Sequence, residues 1–145
     1  TAEGSIAIGK PPVDVYRFWK DLDNLPRIFD HLDSVNIIGR WRPHERVARF
    51  TSGPLLWDIE ITNDIPNELI TWTSVEGTQV KTQGEIYLEP RRYWNDTVVT
   101  VSIVYEPPLG SRGAEFAAKF GDNPSEEINR ALRKLKGIIE YGGTA

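Results

Sequence analysis

The chain contains no cysteine, which excludes disulfides, thiolate zinc sites and a cysteine nucleophile together. Its two histidines, His31 and His44, are too few for most histidine-based metal sites, so neither a metal nor a cofactor is expected. Basic residues are the minority: 17 Lys and Arg against 21 Asp and Glu leave a net charge of −4. A nucleic-acid binder needs a basic footprint, and nucleic acid is therefore not an expected partner. No run of about 18 apolar residues is present to span a membrane, and no secretory signal pattern is visible. The chain opens on Thr1 rather than methionine, so a trimmed targeting segment stays open, and a cytoplasmic protein is the default expectation. Catalytic signatures are missing too: there is no G-x-S-x-G, no phosphate loop and no dinucleotide glycine fingerprint. Gly110-Ser111-Arg112-Gly113 is rich in glycine but follows Pro107-Pro108 and lacks the lysine of a phosphate loop, and reads as a plain loop. Repeats, low-complexity tracts and linkers are also absent. A chain of 145 residues then implies one domain, 1–145, able to bury about two thirds of its unfolded surface.

What is present is organised around the stretch from Asn123 to Gly142. Asn123 is a good N-cap, Pro124 suits the first helical position, and Glu126 can reach back to the cap. Gly142 supplies a left-handed stop. Between them Ile128, Ala131, Leu132, Leu135, Ile138 and Ile139 recur at spacings of three and four, while Arg130, Arg133, Lys134 and Lys136 fall elsewhere. The spacing predicts one amphipathic helix roughly 27 Å long at ~1.5 Å per residue, and a stripe of that length needs a broad apolar partner. Its basic side reads as a solvated face, with an anionic membrane surface as a minor, peripheral alternative.

The partner is a sheet. Ser5 to Ile8 is a short strand, broken by Gly9-Lys10-Pro11-Pro12. A first short helix follows, with Val13, Tyr16 and either Phe18 or Trp19 at helical spacing. A second is capped at Asp23-Asn24, with Leu25, Ile28 and Phe29 as its apolar side. From Ser34 to Glu106 the period is two. LLWDIEITN turns Leu55, Trp57, Ile59 and Ile61 one way and Asp58, Glu60 and Thr62 the other. ELITWTSVE puts Ile70, Trp72 and Ser74 on one face. VKTQGEIYLE aligns Val80, Thr82, Gly84, Ile86 and Leu88, and TVVTVSIVY aligns Val99, Val101, Ile103 and Tyr105. With SVNIIGRWR and ERVARFT this makes seven strands. Six are consecutive and joined by short turns, hence antiparallel, and each has one apolar face.

Several side chains carry both a functional and a bland reading. His31, beside Asp30 and Asp33, has the makings of a general base held by a carboxylate, or is an ordinary polar residue at a helix end. His44 lies in a Pro-His-Glu turn and says less. Asp58 and Glu60 are paired carboxylates, but the pleat puts them on the polar face of their strand. Arg49 turns on the parity of ERVARFT, which is open: if Ala48 and Phe50 face out, Arg49 points inward and can fix a ligand's carbonyl or carboxylate. Trp57 and Trp72 are mid-strand on the apolar face. They are either core or, with polar groups such as Ser74, the lining of a small-molecule pocket. Between Gly110 and Gly121 the run Ala114, Phe116, Ala117, Phe120 predicts a short helix, too short to be stable alone, and Leu109 to Gly121 is the expected gate of such a pocket.

The order strand, two short helices, six strands, long helix resembles the helix-grip fold of lipid-transfer domains, birch-pollen-allergen relatives and bacterial polyketide cyclases. The stretch VDVYRFWKDLDNLPRIFDHLDSV is similar to the opening of the bacterial polyketide cyclase/dehydrase and coenzyme-Q-binding branch of the SRPBCC/START-like superfamily. So are Trp57-Asp58, Trp72-Thr73-Ser74, Gly84-Glu85, Tyr105-Glu106-Pro107-Pro108 and LRKLKGIIEYG. The resemblance implies an α+β helix-grip domain: a seven-stranded antiparallel sheet wrapped around the long C-terminal helix, with two short helices after the first strand. It also implies an apolar cavity between sheet and helix, but supplies no catalytic residue. The expected function is binding or carrying an apolar or aromatic small molecule, of lipid, quinone or polyketide-like type, by a monomer or homodimer. The expected ligand-binding residues are Arg49, Trp57, Ile59, Ile61, Trp72, Ser74, Ile86, Val101, Phe116, Phe120, Leu132 and Leu135. The alternative is an aromatic polyketide cyclase or dehydrase in the same cavity, which would need a buried acid or base. A third is an interaction module whose core is full.

Overall fold

A computed structural model describes residues 2–42, 45–78, 80–91, 95–106 and 124–142. The elements run β1 (Ala2–Ile8), α1 (Pro12–Lys20), a 3₁₀ helix (Leu22–Arg27), β2 (Ser34–Arg42), β3 (Glu45–Ser52), β4 (Leu55–Ile65), β5 (Leu69–Ser74), β6 (Lys81–Arg91), β7 (Asp96–Glu106) and α2 (Pro124–Glu140). All seven strands form one antiparallel sheet of order β1-β7-β6-β5-β4-β3-β2. Consecutive strands are neighbours from β2 to β7, as short turns require, and β1 closes the far edge on β7. This is the helix-grip α+β arrangement. The turns use the residues their backbones demand: Gly53 and Asn67 sit at φ 58° and 65°, in the left-handed region that glycine and asparagine tolerate.

Local chemistry moves some boundaries. β1 starts at Ala2 rather than Ser5. The 3₁₀ helix is capped two residues earlier than expected, by Asp21, whose carboxylate accepts from the Asp23 amide at 3.2 Å. Helix α1 buries Val15, Tyr16, Phe18 and Trp19 and leaves Val13 exposed. Nine residues with Pro12 at the start give little helical stability of their own, so burial of that face sets the orientation. β6 runs on through Pro90, which pairs with Thr97 of β7 past the last β5 partner, Leu69 opposite Tyr87. Proline costs little there because its missing N–H faces a side with no strand to serve.

The core lies between the inner face of the sheet and the helices. Helix α2 approaches the sheet chiefly along β1. Gly4 makes this possible: a Cβ there would stand 2.7 Å from Ile128 Cγ2 and 2.6 Å from Asn129 Oδ1. Both helix ends are tied to β1. The Glu3 amide donates to Ser125 Oγ at 3.1 Å, the Gly9 amide to Glu140 Oε2 at 2.7 Å, and Lys136 Nζ to the Ala7 carbonyl at 2.9 Å. Gly142, at φ 67°, ends the helix as its position predicts; the expected cap Asn123 lies outside the described residues. Helix α1 is fastened to β4 by the Tyr16 hydroxyl, which donates to Asp64 Oδ1, while Arg46 Nη2 approaches the other carboxylate oxygen at 3.4 Å. Burial, and then the bond to Asp64, push the Tyr16 phenol up to about 12. No helix among the described residues is long and apolar enough to cross a membrane.

Candidate functional site

Inside the fold is a cavity of about 160 Å³. It is built by alternation. On β4 every second residue, Trp57, Ile59 and Ile61, reaches it; β5 adds Ile70 and Trp72; β6 adds Thr82 and Ile86; β7 adds Val101, Ile103 and Tyr105. Phe50 of β3 joins them, its ring 5.7 Å from that of Trp57. The cover comes from Trp19 of α1, Leu22 and Leu25 of the 3₁₀ helix, Phe29 and Leu32 after it, and Pro124, Glu127 and Ile128 from the first turns of α2.

Two features keep this space from closing. Helix α2 is drawn onto β1 at the sheet edge, so only its N-terminal end overhangs the middle of the sheet. The second is Gly84, directly opposite Trp72 on β6. A Cβ there would lie 2.5 Å from Trp72 Cζ2 and 2.5 Å from the Ser102 carbonyl oxygen. The bare glycine lets the indole lie down over β6 instead of standing into the cavity. An engineered cavity of about 150 Å³ lined by aliphatic and aromatic side chains admits benzene, so the space found here has the volume of one ring.

The electrostatics are spare. Among the described residues no lysine, arginine or histidine lines the cavity. Its side-chain polar atoms belong to the indoles of Trp19, Trp57 and Trp72 and to Thr82, Tyr105 and Glu127, with Thr82 and Tyr105 opposite each other across β6 and β7. Burial pushes the Tyr105 phenol above its ordinary value. Glu127 is partly exposed and receives Arg130 Nη1 at 3.2 Å. Trp19 is the odd member. It is 1% exposed, and its indole Nε1 has no hydrogen-bond partner among the described residues.

Of the twelve residues expected to meet a ligand, Trp57, Ile59, Ile61, Trp72, Ile86 and Val101 converge on the cavity. Phe116, Phe120 and the whole gate of Leu109 to Gly121 lie outside the described residues, as do His44 and the glycine-rich Gly110-Ser111-Arg112-Gly113. Four others are elsewhere. Arg49 points outward: Nε and Nη2 donate to the two Asp58 oxygens at 2.8 and 3.0 Å on the opposite face of the sheet. The register explains it, since Ala48 faces Ile59 and Phe50 faces Trp57, which puts those two inside and Arg49 out. Leu132 and Leu135 are fully buried but belong to the closed part of the α2 contact. Ser74 is the last residue of β5, beyond the lining. Sequence reasoning passed over Trp19, Phe50, Tyr105 and Glu127 as lining residues. No local pattern marks Trp19 as a lining residue, since Phe18 beside it is buried too.

The remaining polar candidates have structural work. Asp30 takes Lys134, which holds its carboxyl below the usual range. Asp33 Oδ2 accepts the Gly53 amide at 2.6 Å. Asp58, paired with Arg49, is on the outer face of the sheet, as its alternation indicated. Among the described residues no group of three His, Cys, Asp or Glu side chains could hold a metal ion.

A family model described as polyketide cyclase/dehydrase and lipid transport matches residues 8–133. No match is found among curated proteins. Solved structures share the fold over nearly full length. A protein of Deinococcus radiodurans is 26% identical, with TM-score 0.72 and coverage of 97% of this chain and 98% of its own. One from Thermus thermophilus is 21% identical, with TM-score 0.76 and 99% of each chain covered. The Zhui aromatase/cyclase of a Streptomyces species is 16% identical, with TM-score 0.67, covering 99% and 98%. With an apolar cavity under an overhanging helix and a family match over most of its length, the chain belongs to the polyketide cyclase/dehydrase and lipid transport family.

Proposed function

We propose that the protein, acting as a single domain, binds a neutral apolar or aromatic small molecule in the cavity between sheet and α2. The observation that carries this reading is a cavity walled by Trp57, Trp72, Phe50 and a floor of isoleucine and valine, with no cation among the described residues to receive an acid. A single ring buries on the order of 200 Å², as a phenylalanine side chain does, which at ~25 cal/mol per Å² is about 5 kcal/mol. That corresponds to a dissociation constant somewhat below about 1 mM. A lipid, quinone or polyketide-like ligand presents more surface than the cavity holds and must extend past Glu127 and Pro124 or widen the space. The test is extraction of the purified protein into organic solvent and mass spectrometry of the extract, followed by titration of the stripped protein with the recovered compound. Saturable quenching of tryptophan fluorescence is expected, and an empty extract together with unsaturable quenching would overturn the reading.

A second reading, cyclisation and dehydration of a polyketide-like chain in the same place, draws on Glu127 and Tyr105, the titratable groups of the described lining. Turnover of a β-polyketone mimic that Glu127→Gln abolishes would favour it over simple binding.

A further inference from the structure

We infer that two copies of this chain associate about a two-fold axis, each inserting Tyr141 into a proline-walled groove of the other. The groove, of about 550 Å³, is separate from the cavity. The start of α1, the β4–β5 turn and the end of β6 meet around it, and four of its lining residues are Pro11, Pro12, Pro66 and Pro90. Val13 and Tyr87 in its wall are exposed, as is Ile65 next to Pro66. Exposed apolar surface gathered in this way marks a place of association. An added strand would find no ladder here. The prolines have no N–H, and the Leu88 and Glu68 amides already donate to the Glu68 and Ile65 carbonyls at 2.8 and 3.0 Å. The groove therefore suits a side chain rather than a backbone. Stiff apolar walls with the Glu68 carboxylate beside them fit an aromatic ring that carries a hydroxyl donor, which is tyrosine.

The matching side chain is on the chain itself. Tyr141, directly after α2, is 82% exposed, the most open of the large apolar side chains among the described residues. It does not fill its own groove, yet it lies at the same end of the molecule: the Gly9 amide donates to Glu140 Oε2 at 2.7 Å, and Gly9 leads through Lys10 into Pro11. With ring and groove at one end, a single two-fold axis makes both contacts at once, the self-complementary arrangement that closes a dimer. Gly137 is an independent mark. It lies one turn before Tyr141, whose amide donates to its carbonyl at 3.1 Å. A mid-helix glycine weakens a helix relative to alanine, and the single copy has no need of one, since a Cβ there would meet nothing within 4 Å. It leaves bare helix backbone for a partner to approach. The charges agree. Helix α1 opens at the groove behind Pro11, which makes no side-chain cap bond, and its first-turn acid, Asp14, is drawn to Arg17 at 3.8 Å. Helix α2 ends beside Tyr141 with no basic residue in its last turn. The negative end of α2 in one copy thus meets the positive end of α1 in the other.

One ring entering on each side makes a small contact, of the weak, exchanging class below about 1,200 Å². Sedimentation equilibrium of the full chain should therefore show a monomer and dimer in exchange in the micromolar range. Tyr141→Ala should raise the dimer Kd at least about thirtyfold, the loss expected of a buried tyrosine anchor, and leave the monomer's Tm unchanged because the ring is exposed there. Gly137→Leu should raise the monomer's Tm, since leucine favours helix, and still weaken the dimer, which separates association from folding. Val13→Glu sets a carboxylate in the groove, at a helix start that accepts one, and should weaken the dimer from the other side. Mixed in equal amounts, Tyr141→Ala and Val13→Glu regain one of the two insertions, so the mixture should associate more strongly than either variant alone. A chain that stays monomeric to about 1 mM would overturn the inference and leave the groove to a different partner. A dimer that all three variants leave intact would overturn it by placing the interface on another face. A mixture that associates no more than its components would overturn the reciprocal insertion.

Discussion

Gly84→Ala places a methyl group where the fold has reserved none. The new Cβ would stand 2.5 Å from Trp72 Cζ2 and 2.5 Å from the Ser102 carbonyl oxygen, both well inside van der Waals contact. The second neighbour is backbone of β7, paired to β6 through Ser102 opposite Glu85 and Ile103 opposite Gly84, and it cannot swing away. The first is an indole with the cavity beside it, and that is where it will go. Overpacking of this kind costs about 1–3 kcal/mol, against which the lower chain entropy of alanine returns about 0.5–1 kcal/mol. The net loss is roughly 1–2 kcal/mol, and for 145 residues each kcal/mol lowers Tm by about 3 °C. Calorimetry of the variant should therefore show a fall of about 3–6 °C. Because Trp72 moves into the space, affinity for a single-ring probe such as benzene should drop by more than the unfolded fraction explains, and the Trp72 fluorescence should change. A variant that melts lower but binds benzene with unchanged affinity would show that Trp72 does not shape the cavity. One as stable as the natural protein would refute the close approach itself.

Alkaline titration tests the Tyr16 contact. The phenol is raised to about 12 in the folded state, so its stabilising contribution is complete below its ordinary value near 10 and is lost as pH climbs from about 10 to 12. Tm should fall over that window, and Tyr16→Phe should flatten part of the fall; an identical slope in the variant would mean the phenol is unbound. Arg49→Ala removes a surface pair with Asp58, so ligand affinity should not change, and a clear loss would put Arg49 back in the site. Chelator treatment should leave both Tm and probe binding as they were, in keeping with no cysteine and two histidines in the whole chain; a drop in either would expose a metal requirement.

Strands and helix were legible because each carries a strong period. β4, with Leu55, Trp57, Ile59 and Ile61 buried in alternation, and α2, with Ile128, Ala131, Leu132 and Leu135 on one stripe, left little choice of face. β3 did not. Val47 is buried as well as Ala48, so apolar residues occur at both parities, and only pairing of Phe50 with Trp57 decided that Arg49 faces out. The cavity's position was half legible. The sequence identified the tryptophans of β4 and β5 but could not say how far along α2 the sheet contact closes, because that depends on Gly4 meeting Ile128 across more than a hundred residues of chain. Hence Leu132 and Leu135 were expected at the ligand, whereas Glu127 and Ile128 are the α2 side chains that line the cavity. Trp19 was one of two aromatic choices in α1; both it and Phe18 are buried, and the unpaired Nε1 is a tertiary fact with no local sequence mark.

The central claim is that the space under α2 receives a ligand. Methyl-detected NMR of the chain titrated with benzene addresses it most directly. Saturable shifts confined to the methyls of Ile59, Ile61, Ile86, Val101 and Ile128, with Leu132 and Leu135 unmoved, are the predicted result. Linear, unsaturated shifts spread over exposed side chains such as Ile38, Leu56 and Val104 would contradict it.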